Sequence, residues 1–555
     1  MRKICLFFLL FICSCIAAQD TKHWVQFRDK NNSPYSISAP SDYLSARALQ
    51  RRANQGIAID SADLPVNPSY VSAVAATGAY VHARSRWLNG VVIFTNDPAV
   101  IAAVSALPFV ASVSGIGLRK NNSAPVKNDE ETFGSLDPSA FRSGNIVSSN
   151  LNYGASINQI SMLGGVCLHN NGFLGQNMQI AVIDAGFGGV DAFPIFDTLW
   201  ANNRILGTWD FVEGHASVYE NSAHGMMVLS CMGGYLSGEL IGTAPEASYW
   251  LLRSEEGATE YVVEEYYWAA AAEFADSVGA DLINSSLGYT EFDDSSQNHT
   301  YADMDGQTTI CSRAANFAAR KGIAVIGSAG NSGQSPWFYI SAPADADSAL
   351  AVGSVDAAAN VSVFSSRGPA ADGAVKPNVA AQGEQTVIAS QAGGTQTGNG
   401  TSFASPVLCG LVACLWQANP SVTNMQLLQT IQQNASRSAN PDSLMGYGIP
   451  DFCRANQVLS GAPVYSATED QLFLLSPNPF FQSLQFSYYS VTDQDLVIRL
   501  YDAQGRMLID QQFEVVGKVE NNFTLQELGA VAKGVYFLEL KSETGVLVRM
   551  VVKGE

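Results

Sequence analysis

At 555 residues with 47% hydrophobic side chains, the chain is too long for a single core and too apolar for a disordered protein, so several folded domains are expected. A formal net charge of −20 argues against a nucleic-acid partner. The charge is uneven: residues 1–120 hold 12 Lys and Arg against 6 Asp and Glu, a balance of +6, which leaves −26 for the remainder. A basic leading part joined to an acidic body implies two parts that attract each other.

Residues 1–18 read as an export signal, with Arg2 and Lys3 before an apolar stretch from Ile4 to Ile16 and a small-residue cleavage site at Ala17-Ala18. A lipoprotein reading, with Cys15 acylated, ranks second because Cys13 does not suit it. No later segment reaches about 18 uninterrupted apolar residues, so no further membrane span is expected. Six cysteines remain after the leader: Cys167, Cys231, Cys311, Cys409, Cys414 and Cys453. Most lie in apolar, helix-like runs, where buried thiols are at least as expected as a disulfide framework.

Residues 22–118 read as one compact module. A strand at His23–Phe27 precedes a helix from Ser41 to Gln55, with Ser41 as its cap and Arg51-Arg52 at its end. Strands Tyr80–Trp87 and Val91–Thr95 flank the hairpin signal Asn89-Gly90. A helix at Asp97–Leu107 and a strand at Val110–Gly115 complete a β-α-β-β-α-β order, that of a ferredoxin-like α+β unit. Periodicity is lost between residues 120 and 150, where Asn128-Asp129-Glu130-Glu131 typifies an exposed, protease-accessible linker.

From about 155 to 460, short apolar strands alternate with helices. Gln179–Ile183, Ser248–Leu252, Leu282-Ile283, Ile323–Ile326 and Leu350–Val355 read as strands; Glu264–Val278 and Thr308–Lys321 read as helices. This pattern implies a mainly parallel, doubly wound α/β sheet with helices on both faces and a ligand site beyond the carboxyl ends of its strands. Residues 464–555 carry few helix signals and several short strands, such as Leu496–Tyr501, Tyr536–Leu540 and Val546–Val552. They are expected to form a small β-sandwich.

Chemistry-bearing residues follow these elements. Gly398-Asn399-Gly400-Thr401-Ser402 leads into an apolar helix, putting the Ser402 hydroxyl near unpaired backbone N–H groups. Pro406 cannot donate to the carbonyl of Ser402, so an irregular first turn is expected. Asp184 follows a strand and precedes Ala185-Gly186; His224 opens a helix-like run; Asn331 sits in Ser328-Ala329-Gly330-Asn331-Ser332-Gly333 just after a strand. Ser286-Leu287-Gly288 follows another strand, where an exposed edge could pair with an extended peptide. Taken singly, these residues are an N-cap, a turn-capping acid, a structural histidine and a glycine turn.

Together, in the order Asp, His, Ser, they resemble the subtilisin-like serine protease family over roughly residues 155–460. The resemblance implies a triad of Asp184, His224 and Ser402, with Asn331 and the Ser402 N–H holding the oxyanion. It also implies that Ser286, Leu287, Gly288, Ser328, Ala329 and Gly330 line the pocket for the residue before the cut, with Ser341 near its base. These segments carry no charge, which points to neutral or apolar side chains there. Met226 departs from the family's usual threonine after His-Gly. The chemistry requires no cofactor and no metal. Family members often bind structural calcium, and Asp303-Met304-Asp305-Gly306 lacks the full ligand spacing, so no site is located.

By the same resemblance, residues 19–120 are a propeptide that inhibits the enzyme in cis, and 121–154 is a linker holding the maturation site. Residues 155–460 are the catalytic domain. The tail at 464–555, with Ser476-Pro477-Asn478-Pro479, resembles the sorting domain of type IX secretion. The expected partners are protein or peptide substrates, the propeptide and that secretion machinery, with export through the periplasm to the surface or medium. Two other readings stay open: an inactive adhesin on the same scaffold, suggested by Met226 and the sandwich tail, and another serine hydrolase.

Overall fold

A computed structural model describes residues 21–118, 131–134, 151–461, 470–474, 478–517, 520–526 and 528–554. The expected leader at 1–18 and most of the expected linker at 121–154 lie outside these residues.

Seven parallel strands form the central sheet, in the order Val379–Gln382, Ala349–Val355, Ala324–Ser328, Leu282–Ser285, Gln179–Asp184, Ser248–Arg253 and Ile205–Asp210. Their apolar runs arise because helices cover both faces. Along the Gln179–Asp184 strand, Ile180 and Val182 enter one core, which is filled from the other side by helices His224–Gly233 and Thr401–Ala418. Ala181 and Ile183 point the opposite way, into a core built with helices Val263–Val278 and Ile310–Arg320. Period-two alternation thus divides one strand between two hydrophobic layers. Thr401–Ala418 is apolar and long enough to cross a membrane, yet it is a buried core helix here, which is why it is hydrophobic on every side. A disulfide joins Cys167 to Cys453, tying helix Gly165–Asn170 to helix Phe452–Ser460; Cys231, Cys311, Cys409 and Cys414 are buried thiols.

The N-terminal module is an antiparallel sheet ordered Tyr80–Ser85, Gly90–Phe94, Thr21–Phe27, Val110–Leu118. Val91 and Ile93 pack inward with Val71 and Val74, whereas Val92 and Phe94 join the core shared with the Val263–Val278 helix. The sheet therefore lies face-on against the central domain. Two details differ from the sequence reading. Ser45, not Ser41, caps the first α-helix, Ala46–Asn54, by accepting from Ala48 N; Pro40 at the preceding position starts a 3₁₀ turn over Pro40–Asp42 instead. A second helix, Pro68–Ala76, was not anticipated, although Asn67-Pro68 is a cap followed by a first-turn proline.

The opposite charges of the two parts meet at this interface. Arg51, Arg52 and Arg86 all pair with the fully buried Asp276. Lys321 bonds Asp60 and Asp63, and Lys22 bonds Glu256 at 2.6 Å.

At the other end of the chain, strands Gln471–Leu474, Leu484–Tyr489 and Glu520–Leu525 form one antiparallel sheet. Met507–Val515, Gln494–Asp502, Gly534–Lys541 and Val546–Lys553 form a second. Phe486 and Tyr488 of the first face Ile498, Leu500 and Leu538 of the second across one core, a sandwich.

Candidate active site

The carboxyl end of strand Gln179–Asp184 and the start of helix His224–Gly233 meet, and the His224 ring lies 6.2 Å, centroid to centroid, from Phe403 in the first turn of helix Thr401–Ala418. Asp184 ends its strand with its side chain fully buried, and its Oδ1 lies 2.6 Å from Nδ1 of His224. Glycines permit this approach. A Cβ on Gly186 would meet the Ser222 backbone at 2.7 Å, and one on Gly225 would meet the Gly186 carbonyl at 2.5 Å. The Gly225 N–H donates to that carbonyl, so the strand-end loop and the helix start are locked together. Met226, the departure from the family pattern, is buried in the hydrophobic core beneath His224.

Ser402 is the second residue of helix Thr401–Ala418 and only 4% exposed. Pro406, four residues on, has no N–H for the Ser402 carbonyl. Ser286 supplies the missing donor, its hydroxyl lying 2.9 Å from that oxygen. A residue expected to touch substrate thus also holds the Ser402 backbone in place. Asn331 lies beside the same turn. Its Oδ1 accepts from Thr401 N at 2.9 Å and Thr401 Oγ1 at 3.0 Å, while Thr401 Oγ1 accepts from Gly330 N. With the amide oxygen engaged, the amide N–H₂ of Asn331 is left as a donor.

Of the remaining expected pocket residues, Leu287 lines the cleft together with His224. Gly288 and Gly330 close on Ser341: a Cβ on either would come within 2.3 Å and 3.0 Å of its Oγ, a buried hydroxyl without a hydrogen-bond partner. Ser328 ends its strand and is buried, and Ala329 packs behind the cleft against Ile340 and Ala370. The Asp303–Gly306 loop is tied to its surroundings, Gly306 N donating to the buried Asp345 and Gly306 O accepting from Asn316 Nδ2. Asp303 accepts from Thr300, and Asp305 accepts the amides of Gln307 and Thr308.

The sequence reading missed Glu131. Residues Thr132–Gly134, assigned to an exposed linker, form a strand paired antiparallel with Thr397–Asn399, the run that leads to Ser402. Asn399 Nδ2 donates to Thr132 Oγ1 at 2.7 Å. This docking puts the Glu131 carboxylate 3.1 Å from Nε2 of His224 and 3.0 Å from where a Cβ on Gly400 would sit. The Glu131 side chain is 4% exposed and that of His224 13%. Burial would lower the imidazole's affinity for its proton, but Asp184 and Glu131 together outweigh burial and raise it well above the ordinary value. Burial pushes the Asp184 carboxyl upward, opposed by His224. In this state His224 Nε2 is occupied by the Glu131 carboxylate. The signal that could have revealed it was Thr132-Phe133, two strand-favouring residues in an otherwise polar run.

The far wall of the cleft is acidic. Glu255, Glu256 and Glu260 line the same cleft as Leu287, so the uncharged segments that motivated the expectation of neutral substrate side chains are not its whole lining.

Residues 175–448 match the model of the Subtilase family. The central domain belongs to the subtilase family. Residues 22–131 match the Peptidase S8 propeptide domain of Bacteroidota, and 475–553 match the secretion system C-terminal sorting domain. A thermostable alkaline protease of Halalkalibacterium halodurans is 28% identical over 309 residues, 54% of this chain and 73% of that protein. Subtilisin BL of Lederbergia lenta is 28% identical over 296 residues, 52% of this chain and 94% of that protein. Among solved structures, the prenylagaramide maturation protease PagA is 21% identical, covering 54% of this chain and 99% of that one, with a TM-score of 0.44. The chain is a subtilisin-like serine endopeptidase by family, carries a propeptide domain, and bears a sorting domain for secretion or surface export.

Proposed function

We propose that this subtilase cleaves peptide bonds through Asp184, His224 and Ser402 and is made as a self-processing zymogen. The Ser402 Oγ attacks the substrate carbonyl, His224 Nε2 takes its proton and later returns it to the leaving amine, and Asp184 fixes the ring's tautomer. The Asn331 amide and the Ser402 N–H receive the oxyanion. The observation that carries this reading is the 2.6 Å contact of Asp184 with His224 Nδ1, which leaves Nε2 facing the cleft, while the His224 ring centroid lies 6.2 Å from that of Phe403, the residue after Ser402.

The propeptide holds the enzyme inactive in two ways. Its sheet packs on the Val263–Val278 helix, and the chain after it runs into the cleft, where Glu131 takes the place of a substrate at His224. Cleavage within residues 121–154 then frees Nε2. The chemistry requires no cofactor, and the route outward passes through the periplasm.

Full-length chain with Ser402→Ala tests the assignment. Casein hydrolysis is expected to fall by roughly 10⁶-fold and the chain to stay unprocessed. Casein digestion at the parental rate would sink the protease mechanism; normal trimming in 121–154 would sink self-processing. Fluorophosphonate labelling of the parent at Ser402 separates an active site from an inert scaffold.

A further inference from the structure

Away from the catalytic trio, acidic side chains gather on the cleft wall formed by residues 255–264. One oxygen from each of Glu255, Glu260 and Glu264 lies within 4.8 Å of the others. Calcium binds oxygen at about 2.3–2.6 Å, so two ligands of one ion stand at most about 5 Å apart. The three carboxylates therefore have the spacing of a shared ion. Glu264 is 1% exposed. Its two oxygens accept from the N–H groups of Glu256 and Tyr261, which wraps the loop around it. Tyr289 donates its hydroxyl to Glu255. The nearby Lys22 is directed to Glu256, outside the trio.

An independent feature points to a ligand. The Thr259 hydroxyl is buried without a hydrogen-bond partner, its residue is 2% exposed, and it lines the same cavity as Glu255 and Glu260. A buried hydroxyl is normally satisfied. A cation accepts an oxygen lone pair from it and offsets the mutual repulsion of the carboxylates.

We propose that Glu255, Glu260 and Glu264, with the Thr259 hydroxyl, form a calcium site that ties the cleft wall to the Val263–Val278 helix. An all-oxygen donor set selects a hard cation over zinc or copper. Ligands drawn from a loop and a helix suit the tolerant geometry of calcium better than the strict octahedron of magnesium. Backbone carbonyls of the loop and water complete the shell. The ion sits where the loop that follows strand Ser248–Arg253 borders bound peptide, so it fixes the shape of that wall without taking part in bond cleavage.

The test uses the full-length chain with Ser402→Ala, which is inert toward itself and leaves the site intact, so the outcome does not depend on the protease mechanism. After chelator treatment, the chain is titrated with CaCl₂ by calorimetry, beside the same chain carrying Glu255→Gln and Glu260→Gln. The double variant is expected to bind one fewer Ca²⁺ per chain. Terbium added in place of calcium is expected to emit on excitation at Tyr289, and the double variant to lose that emission. Unchanged stoichiometry and affinity in a double variant with native circular dichroism would overturn the proposal, as would a parent that binds no Ca²⁺. If the double variant does not fold, Thr259→Val decides: removing one oxygen ligand weakens one site by about tenfold, and an unchanged isotherm overturns the assignment.

Discussion

Replacing Glu131 by alanine removes the group that caps His224 and leaves the rest of the docked strand in place. The pairing of Thr132–Gly134 with Thr397–Asn399 does not depend on that side chain. At 3.1 Å, unit charges attract by about 5 kcal/mol at an effective dielectric of 20. Most of that offsets lost hydration, and a hydrogen bond to a charged partner nets about 1.5–3 kcal/mol. The cleft should therefore open about 10- to 100-fold more often in Glu131→Ala. The rate at which a fluorophosphonate labels Ser402 in the full-length chain reads this directly. The pH dependence has a definite sign. The latch needs the imidazolium, whose pKa is raised well above 6.5 in the capped state: burial would lower it, but Asp184 and Glu131 outweigh burial. Latching is thus complete below about pH 6.5 and is lost as pH rises through the raised value. Parental labelling should accelerate across that range, and Glu131→Ala should shift the acceleration to lower pH. Equal labelling rates for both chains at about pH 7 would refute the reasoning.

If the Asn331 amide holds the oxyanion as proposed, Asn331→Ala should lower kcat by roughly 10²–10³ with little change in KM; steady-state kinetics on a chromogenic peptide check this. Asp276→Asn leaves Arg51, Arg52 and Arg86 facing an uncharged group in a buried setting. The cost should be about 3–5 kcal/mol, read as a lower urea midpoint of the full-length Ser402→Ala chain. Cys167→Ser with Cys453→Ser opens a loop spanning 286 residues and should destabilise the central domain by about 2–5 kcal/mol, measured by calorimetry against the parent.

Much of this was legible because the chemistry sits at element boundaries. An acid after four buried residues, a histidine opening a helix and a serine after Gly398-Asn399-Gly400 are local patterns, and the parallel sheet brings such boundaries to one edge. Pro406 could likewise be read as depriving Ser402 of a helical donor. That Ser286 fills the vacancy could not be read, because it lies 116 residues away. The Ser45 cap was misplaced for a related reason: both serines suit a cap, and the 3₁₀ turn at Pro40 decided between them. The basic propeptide and acidic body announced an attraction, but not that three arginines would share one aspartate.

By itself, the sequence determined the alternation of strands and helices, the identity of the residues at the strand ends, and the division into propeptide, central domain and sandwich. These depend on periodicity and on residues within a few positions of one another. Only the tertiary structure decided that Glu131 reaches across 93 residues to His224, that Cys167 meets Cys453, and that Glu255, Glu260 and Glu264 share one small volume. Each of these depends on the distance between segments that the sheet brings together, and a linear pattern carries no information about that distance.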